Sequence, residues 1–203
     1  MVAAVNASLG RLGADEIDAA AYRRHFLRPL HLFYERLLGS PVDEDLMQGI
    51  DDTFQEAYSS GLPGVGLTAD ARGAVDRVAA SGATQSIASM LWHDVLVSTV
   101  TRFGLEEQML ALDGHRGSVG ETKEAHLRSH VGGLREMYPS ISDMVVIGDI
   151  TDDASAARAS GVGCVLYDGG SQERSTLERE GFPVAATLME AVETALGISA
   201  RES

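Results

Sequence analysis

One cysteine, Cys164, stands in the whole 203-residue sequence. No disulfide can form within the chain and no cysteine cage can hold a metal, which points to a reducing compartment, the cytoplasm. Cys164 lies in an apolar stretch and reads as a small buried hydrophobe. Long apolar runs are missing too: nothing approaches the roughly 18 residues that a membrane-spanning helix needs. Basic residues are scarce, with 16 Lys and Arg against 30 Asp and Glu and a net charge of −14. Nucleic acid and anionic membrane are therefore disfavoured as main partners, because phosphate attracts basic surfaces. The opening MVAAVNASLGRLG lacks the basic cluster of a leader peptide. Its apolar residues Val2, Val5, Leu9 and Leu12 recur at helical spacing and predict an amphipathic helix.

What is present is ordinary globular composition, 44% hydrophobic and 23% charged, on a chain long enough to bury a real core. Residues 1–62 read as helices only: one to Gly13, then 17–27, 30–38 and 43–59, broken near Pro29 and Gly39-Ser40-Pro41 and closed before Gly61-Leu62-Pro63-Gly64. Tyr22, Phe26, Phe33 and Tyr34 fall at helical spacing and are expected in a core or interface. This segment is expected to be a small all-helical domain, with residues 63–203 forming an α/β domain.

From Val65 the rhythm alternates strand and helix, the pattern of a parallel, Rossmann-like sheet covered by helices on both faces. Helices are expected over 69–80, 91–103, 122–138 and 171–180 and from Thr187, where Thr187 and Glu190 make a capping box. Strands are expected over 83–88, 109–112, 145–147, the run ending at Asp168, and 183–185. Met144 to Asp168 is the most informative stretch: a β-branched run (Val145, Val146, Ile147), Gly148-Asp149, two more acids at Asp152 and Asp153, an alanine-rich helix, and a second strand.

Ligands of parallel α/β sheets sit at strand C-termini. Four residues fall there or in the loops above. Ser89 follows the 83–88 strand and opens a helix, so its hydroxyl and free N–H groups suit an anion, or simply cap the helix. Lys123 stands at a helix start, where a cation opposes the dipole. Asp149 directly follows a strand and Asp153 lies four residues on, in the first turn of the next helix; both suit Mg²⁺, although acids also serve there as dipole partners. His93, after Ser89, faces either the cleft or the core.

The order of these residues resembles the haloacid dehalogenase-like (HAD) hydrolase superfamily, in its phosphoglycolate-phosphatase-like branch with a helical cap. Ser89 in TQSIASM is similar to the second motif, Lys123 in GETKEAHL to the third, and Gly148, Asp149 and Asp153 in VVIGDITDDASAARASG to the fourth. Residues 1–62 look like the cap and 63–203 like the core. The resemblance implies a phosphatase of a small phosphorylated metabolite, acting by phosphoryl transfer to an enzyme aspartate. Ser89 and Lys123 would hold phosphoryl oxygens, and Asp149 and Asp153 would support Mg²⁺.

The family's first motif, DxDGT at the end of the first strand, is absent. Asp43-Glu44-Asp45 opens a helix, Asp15 and Asp18 lie among helix formers, and Asp168-Gly169-Gly170 ends a strand at the wrong place in the order. The resemblance places the first strand inside the sheet, between the strand ending at Ile147 and the one ending at Ala88. Its loss should leave unpaired backbone groups, each costing on the order of 1–3 kcal/mol if buried. Two expectations follow: either the protein begins upstream of Met1, or the chain closes the gap by re-pairing, by forming a homodimer or by binding another segment. Lacking the nucleophile, the polypeptide is expected to be inactive. The alternative is a catalytically dead pseudo-phosphatase that binds a phosphorylated ligand or a protein partner.

Overall fold

The computed structural model of the chain describes residues 1–117, 122–141 and 143–202. Residues 118–121, the second half of the 114–121 stretch that the sequence reads as a loop, lie outside that set. The chain divides into two compact units, Met1–Gly66 with Ser171–Glu173, and Leu67–Gly170 with Arg174–Ser203.

The first unit contains helices α1 (Val2–Arg11), α2 (Ala19–His25), α3 (Leu30–Leu38) and α4 (Glu44–Gly61). Asp18 and Asp43 cap α2 and α4 by accepting the N–H of Ala21 at 2.7 Å and of Leu46 at 2.9 Å, which satisfies donors a helix start leaves orphaned. Gly39 closes α3 in the left-handed conformation, φ 67°, which glycine adopts without a Cβ penalty. The aromatics expected in the core are there: Tyr22, Phe26, Phe33 and Tyr34 are all buried. Phe33 meets Tyr22, Phe26 and Tyr34 at centroid separations of 5.7, 5.6 and 5.2 Å, within the range of favourable edge contacts. Burial pushes the Tyr34 hydroxyl above its ordinary pKa, with the Ser8 hydrogen bond opposing and Asp51 adding to the rise.

The second unit is α/β, in the order α5 (Ala71–Ser81), β1 (Ser86–Trp92), α6 (His93–Arg102), β2 (Ala111–His115), α7 (Lys123–Met137), β3 (Val145–Gly148), α8 (Thr151–Ser160), β4 (Gly163–Tyr167), α9 (Arg174–Glu178), β5 (Val184–Ala185) and α10 (Leu188–Glu202). All strand pairs are parallel. Side chains alternate between faces as a strand requires. Val146, Cys164 and Leu166 belong to the layers containing Ala154, Ala156 and Ala157 of α8, while Val145, Ile147 and Val165 pack with Ala191, Ala195 and Ile198 of α10. Three fully buried alanines on α8 explain its composition: a smooth helix face can lie close on the sheet. Helix α7 runs unbroken through Gly132-Gly133, because Leu127 and Val131 anchor one face, and packing outweighs the roughly 1 kcal/mol that glycine costs a helix interior.

The sheet is divided. Strands β1 and β2 pair with each other, and β3, β4 and β5 form a second set; among the described residues no strand joins β1 to β3. The break falls where the sequence lacks the expected interior strand. Its effect on burial is direct: Cys164, Val165 and Leu166 of β4, paired on both sides, are at most 1% exposed, whereas every residue of β3 is only half-buried. The expected cost of stranded backbone groups is reduced accordingly, because the edges are not sealed from water. Burial pushes the Cys164 thiol up to about 12, which fits its reading as an inert core residue.

Candidate functional site

Strand β3 ends at Gly148 and α8 begins at Thr151, so Asp149 and Ile150 form the turn between them. Asp153, in the first turn of α8, is 5% exposed. Its Oδ2 accepts the backbone N–H of Asp149 at 2.9 Å and of Ile150 at 3.1 Å. Its Oδ1 is ion-paired with Lys123 Nζ. A buried carboxylate is costly unless paired and hydrogen-bonded, and here both oxygens are engaged.

Lys123 opens α7, where Thr122 caps the helix by accepting the Ala125 N–H at 3.2 Å. The unfavourable position against the helix dipole is offset by Asp153. The lysine side chain keeps 27% of its exposure, so the ammonium retains donors for a further anion.

Two glycines shape this turn. A Cβ on Gly148 would fall 2.2 Å from Asp153 Cγ, and one on Gly170 would fall 2.2 Å from Asp149 Oδ2. Only glycine lets the Asp153 carboxylate fold back over β3 and the loop after β4 close against Asp149.

Ser89 is placed differently from expectation. It lies inside β1, not at a helix start, because the strand runs on to Trp92 through an irregularity: Ser89 pairs with Gly114 and Trp92 with His115. Its hydroxyl accepts the Leu91 N–H at 3.1 Å, stabilising that irregularity rather than capping α6. The structure thus brings Lys123, Asp149 and Asp153 together and leaves Ser89 on the other half of the divided sheet. His93 takes neither the cleft nor the core role outright: its Nδ1 accepts from the Gly114 N–H at 3.3 Å and lies 3.0 Å from Arg116 Nη2.

The sequence reading missed a cluster on α7. His130 Nε2 lies 2.9 Å from Ser86 Oγ and its Nδ1 lies 3.3 Å from Asp113 Oδ2; His126 Nε2 lies 3.1 Å from the Asp113 carbonyl oxygen. Burial lowers the His130 pKa, and Asp113 only partly restores it, so the ring is neutral at pH 7. These partners assign Nδ1–H as donor to Asp113 and Nε2 as acceptor from Ser86. Burial raises the Asp113 carboxyl, but Arg116 together with His126 and His130 outweighs it and the net shift is downward. The available signal was His126 and His130 four residues apart, on one face of a helix.

A magnesium ion takes hard oxygen ligands, often one or two carboxylates completed by water and substrate phosphate. Among the described residues no three His, Cys, Asp or Glu side chains gather into a cage. The set fits magnesium only in the sparse sense: Asp149 as a direct ligand, with Asp153 already committed to Lys123 and the turn backbone.

Residues 121–191, which include Lys123, Asp149 and Asp153, match the HAD-hydrolase-like family model. No curated protein matches the chain. Solved structures do: a predicted phosphatase from Clostridium acetobutylicum is 16% identical with a TM-score of 0.77, over 96% of this chain and 89% of that one. A haloacid dehalogenase-like family protein from Streptococcus pneumoniae is 15% identical, TM-score 0.74, over 98% and 89%. Protein Tyrosine Kinase A of Mycobacterium tuberculosis is 18% identical, TM-score 0.75, over 96% and 89%. Such identities speak for the fold and not for one reaction, as a kinase beside a phosphatase illustrates. Over nearly its whole length the chain shares the fold of these proteins, and over residues 121–191 its sequence is similar to the HAD-hydrolase-like family.

Proposed function

We propose that the chain carries the phosphate-holding half of a HAD-type phosphatase site for a small phosphorylated metabolite, with the helical unit as its cap. The observation behind this reading is the Lys123–Asp153 ion pair at the C-terminal end of β3, beside Asp149. In this reading Lys123 holds one phosphoryl oxygen, and Ser89, from the other half of the divided sheet, offers its hydroxyl to another. Asp153 fixes the lysine and the 149–150 backbone, and Asp149 faces the metal. A bound Mg²⁺ would supply charge neutralisation of the phosphoryl group. Solved structures described as predicted or putative phosphoglycolate phosphatases share the fold, which supports the class without naming the substrate. The single cysteine supports a cytoplasmic setting, and no helix among the described residues is long and apolar enough to cross a membrane.

The sequence offers no DxDGT aspartate to form a covalent intermediate, so in this reading the 203-residue polypeptide binds but does not turn over. The second reading is a pseudo-phosphatase that binds a phosphorylated ligand or protein. One experiment addresses both: incubate the chain with 4-nitrophenyl phosphate and Mg²⁺ while recording its melting with phosphate. Binding without turnover is expected. Turnover abolished by Asp149→Ala would overturn the inactivity, and a melting curve unmoved by phosphate and Mg²⁺ would count against the site itself.

A further inference from the structure

Trp92 is the only tryptophan in the sequence, and it is 54% exposed. An indole left half in water is unusual, since Trp is highly buried on average. The local structure holds it there. Between the pairs Ser89–Gly114 and Trp92–His115, β1 inserts Met90 and Leu91 where β2 inserts nothing, a bulge of the kind that re-aims a side chain. Gly114 admits it: a Cβ there would lie 2.6 Å from His93 Cα and 2.7 Å from Leu91 O. The bulge delivers Trp92 to the C-terminal end of β1, beside the end of β2.

The indole is walled on one side. The His115 ring lies 5.0 Å away at an interplanar angle of 55°, and the Gly117 backbone, at φ 86°, runs along the indole edge, with a Cβ position 3.4 Å from Cζ3. Arg116, between these two residues, is pinned by Asp113 Oδ1 at 2.5 Å and by the Gly114 carbonyl at 3.2 Å, yet its side chain remains 56% exposed. An open aromatic face, a second ring and a fixed cation lie together three residues beyond Ser89, within about 10 Å along a strand.

We propose that Trp92, with His115 and Arg116, is a recognition platform that selects substrates whose phosphate is carried on an aromatic ring. The ring stacks on the indole while the phosphate reaches toward Ser89. This rests on the phosphate-binding role proposed above, and it narrows the ligand from any small phosphorylated metabolite to aryl phosphates.

The sole tryptophan makes the test direct. Phenyl phosphate and methyl phosphate are each titrated by calorimetry, and Trp92 emission is followed under acrylamide quenching. Phenyl phosphate is expected to bind about fivefold more tightly, the scale of one aromatic contact, and to protect Trp92 from acrylamide, whereas methyl phosphate binds without protecting it. Trp92→Leu should abolish the preference while methyl phosphate affinity stays unchanged. Equal affinity for both ligands with no protection overturns the platform and leaves the phosphate site standing. Binding of neither sinks both.

Discussion

Asp153 Oδ2 accepts the backbone N–H of Asp149 at 2.9 Å, so the acid in the first turn of α8 holds the acid of the preceding turn in place. The two carboxylates are therefore not equivalent. Asp153 is an internal fixture, bonded through both oxygens, and Asp149 is the acid whose presentation it governs.

Replacing Asp153 separates those bonds. Asp153→Asn keeps an oxygen acceptor and loses the ion pair with Lys123, at a cost of about 1 kcal/mol. Asp153→Ala also orphans the two N–H groups and should cost about 3 kcal/mol. Urea denaturation reads both; equal losses would show that the backbone contacts carry no weight.

Gly148→Ala places a Cβ where the Asp153 carboxylate sits. A loss of about 2 kcal/mol is expected from the forced displacement. In an Asp153→Gly background, which removes the Cβ 2.3 Å away as well as the carboxylate, the same substitution should cost far less. Additive losses from thermal melts would contradict the geometry.

Acid should weaken the second unit in two stages. The His130 pKa is lowered on folding, so the unfolded chain takes up its proton first and stability falls as pH drops below about 6.5. The Asp113 pKa is also lowered; its contribution is present above about 4 and is lost as pH falls further. The groups facing this cluster are His126, Arg116 and Asp113 itself. Melting temperature measured from pH 7.5 to 5 should decline, and His130→Gln should flatten that decline. A rise on acidification would reverse the assigned sign.

Much of the fold was legible because the hydrophobic period changes from 3.6 to 2 at recognisable punctuation. The run Val145–Ile147 with Gly148 after it, the alanines of α8 and the helix opened by Asp43 each carried their own local cause, whereas Asp18, read as lying within a helix, turned out to cap α2. Ser89 was misplaced because a strand that continues through a bulge looks, in sequence, like a strand that has stopped. The pairing of Lys123 with Asp153 spans 30 residues and no local rule predicts it. A compositional signal did exist: Lys123 is the only lysine among the 16 Lys and Arg residues, a compact ammonium kept where arginine serves everywhere else. The Ser86–His130–Asp113 chain was hidden for a similar reason, since its members come from β1, α7 and β2 and meet only once the layers pack. Trp92 was equally unmarked, because sequence pattern does not say which aromatic stays in water.

In the proposed site Lys123, set by Asp153, binds phosphate at the end of β3. Calorimetric titration of inorganic phosphate into the chain, with and without Mg²⁺, tests it most directly when repeated on Lys123→Met. Saturable binding that Mg²⁺ strengthens is expected, weakened tenfold or more in the variant, on the order of the 1.5–3 kcal/mol of a charged hydrogen bond. Phosphate binding of equal strength in Lys123→Met, shown to be folded by its melting transition, would contradict it.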